Sequence, residues 1–94
     1  MGENGHTNHT YFDYLKKAKE ELRALLETHP ELAVLSAREL EVFDYLLSDK
    51  TLSKIAEEMV LSYSSVHFHC KNIYRKLNLS NRRQLLMTYK DLYE

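Results

Sequence analysis

One stretch, LSYSSVHFHCKNIYRKLNL at residues 61–79, sets the terms on which this chain can fold. At 3.6 residues per turn it is a turn followed by one helix over about residues 63–77, and the two sides of that helix cannot share an environment. Val66, Cys70, Ile73 and Leu77 fall on one side, with His69 at its edge. Ser64, His67, Phe68, Lys71 and Arg75 fall on the other. The first set is a stripe that must be buried. The second is basic, able to hydrogen-bond, and carries an aromatic ring among polar groups. A helix anchored by one side with a basic opposite side suits insertion into the major groove of DNA. An ordinary surface helix with solvated Lys and Arg remains the competing reading of the stretch alone.

The rest of the chain has to supply the packing partners. Apolar residues recur at spacings of three and four nearly throughout, with one Pro and two Gly, so the expected class is all-α. Ninety-four residues suffice for one small domain and an arm. No apolar run is long enough to cross a membrane. A single cysteine precludes an intrachain disulfide framework and suits a reducing compartment. Net charge is −1, yet the charges are segregated. Every acid except Asp91 and Glu94 lies in residues 1–58, and from Met59 to Lys90 there are six Lys or Arg and no acid. Such a local positive field matters more for docking on phosphate than the total.

In chain order, residues 1–9 are polar and read as a disordered or vector-derived tail. A helix is expected over residues 10–29, opened by Thr10 with Asp13. Its stripe of Tyr11, Leu15, Ala18, Leu22 and Leu25 is about two heptads long, too short for an independent coiled coil. It serves either as a packing surface for the following domain or as a linker helix that pairs in a dimer, the latter slightly preferred. His29-Pro30 ends it. The remaining 30–94 reads as the main domain. Ser36 and Glu39 spell a capping box, with Leu35 and Leu40 placed as a hydrophobic staple, ahead of Val42, Phe43, Leu46 and Leu47. Thr51 caps a short helix turning Leu52, Ile55, Ala56 and Met59 inward. Val60-Leu61-Ser62 leaves room only for a tight turn into the next helix. Short helix, tight turn and longer basic helix follow helix-turn-helix logic, and a plain three-helix bundle would use the same connections. Asn78 is suited to the left-handed end of that helix. Asn81 with Gln84 caps a last helix striped by Leu85, Leu86, Tyr89, Leu92 and Tyr93. Arg82 and Arg83 sit in its first turn, at the positive end of the dipole, where a partner anion such as DNA phosphate would favour them.

These pieces together resemble one family. LSARELEVF at 35–43, KIA at 54–56, S-x-x-S-V-x-F-H at 62–69 and NIYRKLNLSNR at 72–82 are similar, in order and without a gap, to the LuxR-type (GerE-type) helix-turn-helix domain of bacterial transcription regulators. The resemblance covers a little over half of the chain. It implies a four-helix DNA-binding domain, here preceded by an extra N-terminal helix, usually working as a homodimer on paired half-sites of double-stranded DNA in the bacterial cytoplasm. By position, His67, Phe68 and Lys71 fall where members commonly touch bases, and Ser64 and Ser65 lie near phosphates or base edges. Thr51, Ser53, Lys54 and Arg82 fall near the backbone, joined on charge by Arg75 and Arg83. The fourth helix often makes the dimer contact, which implicates Leu86, Tyr89, Leu92 and Tyr93. His69 matches a histidine that usually packs. The chain departs from the family in having His67 where Lys or Arg is usual, Ser53-Lys54 where Lys-Glu is common, Leu40 where a base is frequent, and Asp49 and Asn78 in place of glycines.

The expected mechanism is a division of labour. Lys and Arg position the domain on phosphates while Phe68 meets a thymine methyl and Lys71 donates to guanine O6 or N7. The alternative function is a protein-interaction module in which the same helix face meets an acidic partner. Neither catalysis, nor a metal, nor a cofactor is expected: there is no phosphate loop and no nucleophile with a base. The run His67-Phe68-His69-Cys70 diverges by about 100° per residue, so its groups cannot converge on one ion. Such regulators normally carry a sensor or receiver domain, for which the residues before position 35 are too few. The chain is therefore expected to be a stand-alone effector or, preferably, the C-terminal part of a longer regulator.

Overall fold

The computed structural model describes residues 2–93, and of the side chains before residue 15 only that of Asp13. All regular structure among the described residues is helical. The chain divides into two compact units, Met1–Glu31 and Leu32–Glu94.

The first unit is one helix, α1, Gly2–Thr28. It begins well ahead of the expected start at Thr10, which lies inside it, so the break after residue 9 is absent from the backbone. Elongating a helix costs little once a turn exists, and no proline interrupts residues 2–9 to enforce a boundary. Met1 and the Tyr11 side chain, which figured in that reading, lie outside the described residues. The other end is as expected. The last backbone bond runs from His29 N–H to Leu25 O at 2.8 Å, and Pro30 opens a 3-10 turn, Pro30–Val34. Leu22 is exposed on α1.

The second unit holds α2 (Ala37–Leu46), α3 (Leu52–Met59), α4 (Tyr63–Lys76), α5 (Arg82–Thr88) and a final 3-10 turn, Lys90–Leu92. Each helix starts on a side-chain cap read from the sequence. Ser36 Oγ accepts from Glu39 N–H at 3.1 Å while Glu39 Oε1 accepts from Ser36 N–H at 2.9 Å, completing the capping box. Thr51, Ser62 and Asn81 accept from the backbone N–H of Lys54, Ser65 and Gln84.

Two helices stop on left-handed residues. After α3, Val60 has φ 56°, and its N–H and that of Leu61 reach Glu57 O (3.2 Å) and Ala56 O (2.9 Å). After α4, Asn78 has φ 59°, and its N–H and that of Leu79 reach Arg75 O (3.2 Å) and Tyr74 O (2.7 Å). Both are the paired bonds of a Schellman ending. Asparagine takes this conformation readily; a β-branched valine does so only under steric cost.

α4 packs across both α2 and α3. Val66, Cys70 and Ile73 enter the core between Val42, Phe43 and Leu46 of α2 and Ile55, Ala56 and Met59 of α3, with Leu32, Leu35 and Leu85 also buried. The predicted stripes of α2, α3 and α4 are thus the core, except that Leu47, Leu52 and Leu77 are only half-buried. Seating one helix against two others fixes its rotation, so its opposite face has a defined direction.

Candidate nucleic-acid interface

The outward face of α4 follows from its buried one. Ser64, His67, Phe68, Lys71 and Arg75 are all exposed, as the periodicity predicts. Phe68 leaves 61% of its surface in solvent. A phenylalanine this exposed on a well-seated helix has no intramolecular packing role to explain it. Among the described residues its only ring contact is an edge-on one with His69, centroids 6.0 Å apart. His69 is half-buried at the boundary of the two faces.

The N-terminus of α4 carries three serines. Ser62 Oγ caps Ser65 N–H at 3.1 Å, donates to Ser65 Oγ at 2.8 Å and lies 3.2 Å from Ser64 Oγ. Ser64 and Ser65 therefore stand at the positive end of the helix with their hydroxyls already ordered. Thr51 Oγ1 performs the equivalent capping at α3, 3.1 Å from Lys54 N. Ser53 is exposed.

The structure sorts the cations that the sequence groups together. Lys71 and Arg83 are exposed and have no hydrogen bond or ion pair among the described residues. Lys54 Nζ is 2.8 Å from Glu57 Oε1, and the pair raises the lysine pKa and lowers that of the glutamate. Both side chains are well exposed, so the pair is one that a phosphate can exchange. Arg75 Nη2 donates to Asn72 Oδ1 at 3.1 Å. Lys76 is turned inward to Glu39, with Nζ 2.8 Å from Oε1.

Arg82 requires a correction. An external anion was expected to explain its place at the positive end of α5. Its partner is internal: Nε–H donates to Leu46 O at 3.1 Å and Nη2 donates to Ser48 O at 2.6 Å. The negative, carbonyl-rich end of α2 thus supplies the charge complement. The guanidinium also acts on two side chains of α4. Burial pushes the Tyr74 hydroxyl up to about 12, with Cys70 adding to the rise and Arg82 opposing it. Burial likewise pushes the Cys70 thiol up, against Arg82 and a hydrogen bond from Tyr74. The thiol stays protonated and serves packing. Arg82 is thus a clamp between α2 and α5; its pairing depends on residues more than thirty positions apart, which no local pattern signals.

Among the expected dimer residues, Tyr89 is also corrected. It is 2% exposed and meets the Phe43 ring edge-on, centroids 5.1 Å apart at 87°. It closes the core and offers no surface to a partner. The helix ends at Thr88, so the assumed stripe does not continue in register to Leu92 and Tyr93. Leu86 and Leu92 are half-buried, while Tyr93 is exposed and donates its hydroxyl proton to Leu86 O at 3.2 Å. Two exposed residues were missed. Met87 is 67% exposed, hidden in the sequence by its apolar neighbours Leu85 and Leu86. Tyr63 is 53% exposed in the first turn of α4, and its spacing of four from His67 was a legible signal.

The comparisons agree with the region that carries this geometry. Residues 33–89 match the family model described as GerE, bacterial regulatory proteins, luxR family. The chain is 39% identical over 54 residues to the spore germination protein GerE of Bacillus subtilis, an alignment spanning 57% of the chain and 73% of that protein. It is 40% identical over 63 residues to the Fimbriae Z protein of Escherichia coli (67% of the chain, 30% of that protein). It is 30% identical over 70 residues to the HTH-type transcriptional regulator MalT of Vibrio campbellii (74% of the chain, 7% of that protein). No solved structure matches.

Proposed function

Because the chain belongs to the luxR family of bacterial regulatory proteins, we propose that it binds double-stranded DNA sequence-specifically and thereby regulates transcription, with α4 lying in the major groove. The observation that carries this reading is the state of the α4 outer face. Phe68 and Lys71 stand exposed beside one another, the cation without an acidic partner among the described residues, on a helix whose opposite side buries Val66, Cys70 and Ile73. Lys71 donates to guanine O6 or N7, Phe68 packs on a thymine methyl, and His67 completes the base-reading set. Ser64, Ser65, Thr51, Ser53, Lys54, Arg75 and Arg83 engage the phosphate backbone. Lys54 does so by exchanging Glu57 for phosphate. Arg82 contributes by holding α5 against α2, which sets the position of Arg83. The domain works as a homodimer on paired half-sites, joined near the end of the chain through Leu86, Met87, Leu92 and Tyr93.

The test is fluorescence anisotropy of a labelled duplex pool titrated with the chain at several salt concentrations. Binding is expected to weaken with log salt at a slope of about −0.9 per phosphate engaged, and selection from the pool to enrich a two-fold symmetric site. Absence of binding at low salt refutes the proposal.

A further inference from the structure

We propose that Tyr63 is a positioning residue for base reading: its ring holds the imidazole of His67 so that the edge of the imidazole, and not its face, meets a purine in the major groove. The inference rests on the DNA reading above and goes beyond it by adding a residue and a role. The two rings lie nearly parallel, with centroids 6.3 Å apart and planes 11° from one another. Their relation is built into the helix. Tyr63 is the first residue of α4 and His67 follows four later. A long side chain on a helix leans toward the N-terminus, so the imidazole of His67 comes to lie over residue 63.

The stack uses the face of the imidazole and leaves its edge. Neither ring nitrogen of His67 has a hydrogen-bond partner among the described residues, and both Tyr63 and His67 are exposed. The edge carries the two ring nitrogens, and a ring N–H directed outward in the imidazole plane matches the acceptor N7 of a purine, or N7 and O6 of guanine. An exposed histidine without such support rotates about two side-chain bonds and must be ordered when it binds. A ring already restrained by a neighbour loses less freedom at that step. This gives a physical sense to a histidine at a place where a flexible lysine or arginine would otherwise serve. A long cation follows the charge of many sites. A restrained planar edge depends on one base pair.

The same geometry admits a different role for Tyr63, in which its hydroxyl binds a phosphate directly, and the test separates the two. The first arm uses the whole chain without DNA. Ring-proton resonances of His67 are recorded by NMR for the wild type, Y63F and Y63A. Loss of the neighbouring ring current in Y63A is expected to shift them, while Y63F leaves them in place. The second arm titrates the selected duplex and its single-base variants. In Y63A the discrimination at the base pair read by His67 should drop by roughly fivefold, as expected for one side chain that must now be ordered on binding. H67A should abolish that discrimination, and Y63A/H67A should lose no more than H67A does. Y63F should retain it, and the salt dependence should be unchanged in all four proteins. Unmoved His67 resonances in Y63A overturn the stack. A loss of affinity in Y63F with a shallower salt slope overturns positioning in favour of a phosphate contact. Additive losses in the double variant overturn the coupling. A wild-type chain that binds no duplex overturns the DNA reading itself and this proposal with it, a result distinct from the other three.

Discussion

Glu39 is nearly buried, 6% exposed, and carries two bonds on one oxygen: Ser36 N–H and Lys76 Nζ both donate to Oε1. Burial pushes its carboxyl up, but the Lys76 bond and charge and the Ser36 bonds outweigh that and hold it below the usual carboxylate range. A carboxyl depressed in the folded state stabilises the fold fully above its unfolded pKa of about 4.3, and the contribution is lost as pH falls through the folded value. Thermal melts followed by circular dichroism should therefore show a Tm that declines below about pH 4.5 in the wild type and declines less in E39Q. At pH 7, E39Q should cost about 2 kcal/mol, in the range for hydrogen bonds to a charged group. The capping half of this arrangement was readable from the spacing of Ser36 and Glu39. The Lys76 half was not, because the ion pair closes only when α4 lies across α2. Lys71 gives the complementary case. It faces away from the core and touches no acid among the described residues, so K71E should leave the unfolding free energy within about 0.5 kcal/mol of the wild type. Specific DNA binding should be lost in the same variant; unchanged affinity in the anisotropy titration would remove Lys71 from the reading surface.

Among the elements, the starts of α2 to α5 were legible, that of α1 was not, and the helix endings were only partly so. Ser36, Thr51, Ser62 and Asn81 all cap as their residue types and spacing predict. Asn78 ends α4 as expected. Val60 carried no such signal, since nothing in a valine indicates φ 56°. It is imposed from both sides: α3 has to stop and Ser62 has to reach the cap of α4 within two residues. Val60 is 88% exposed, so little packing offsets the crowding of its Cβ. V60G should accordingly stabilise the domain by about 1 kcal/mol, the usual left-handed penalty for an L-residue less the extra entropy of glycine in the unfolded chain. Chemical denaturation would read this as a higher midpoint with an unchanged slope. The two arginines that open α5 separate in the same way. R82A removes a clamp on Leu46 O and Ser48 O and should destabilise by about 2 kcal/mol while leaving the salt slope of DNA binding nearly unchanged. R83A should keep the Tm and reduce that slope by about one phosphate. The opposite assignment of the two effects would restore Arg82 as the phosphate contact.

For the whole molecule, charge and apolar surface divide the work. The segregation of acids toward the first 58 residues was visible in the sequence, and the acid-free segment it leaves is the one that forms α4 and α5. The number of cations overstated the positive surface, because Lys76 and Arg82 are drawn inward by partners distant in sequence. At the end of the chain, Met87 and Tyr93 are exposed while Tyr89 is consumed by Phe43. If the homodimer forms there, M87E should shift sedimentation equilibrium toward monomer and weaken binding to a paired site, while affinity for a single half-site is retained. A variant that stays dimeric would place the contact elsewhere. What the sequence determined by itself was everything local or periodic. That comprises the helical class, the four N-cap bonds of α2 to α5 at fixed spacing, and the buried and open sides of α4, since a period of 3.6 residues carries that information along the chain. Only the tertiary structure decided which cations remain available, which tyrosine closes the core, and how the turn before α4 is made. Those outcomes depend on pairs such as Glu39 with Lys76 and Ser48 with Arg82, whose partners are brought together by packing and share no pattern in sequence.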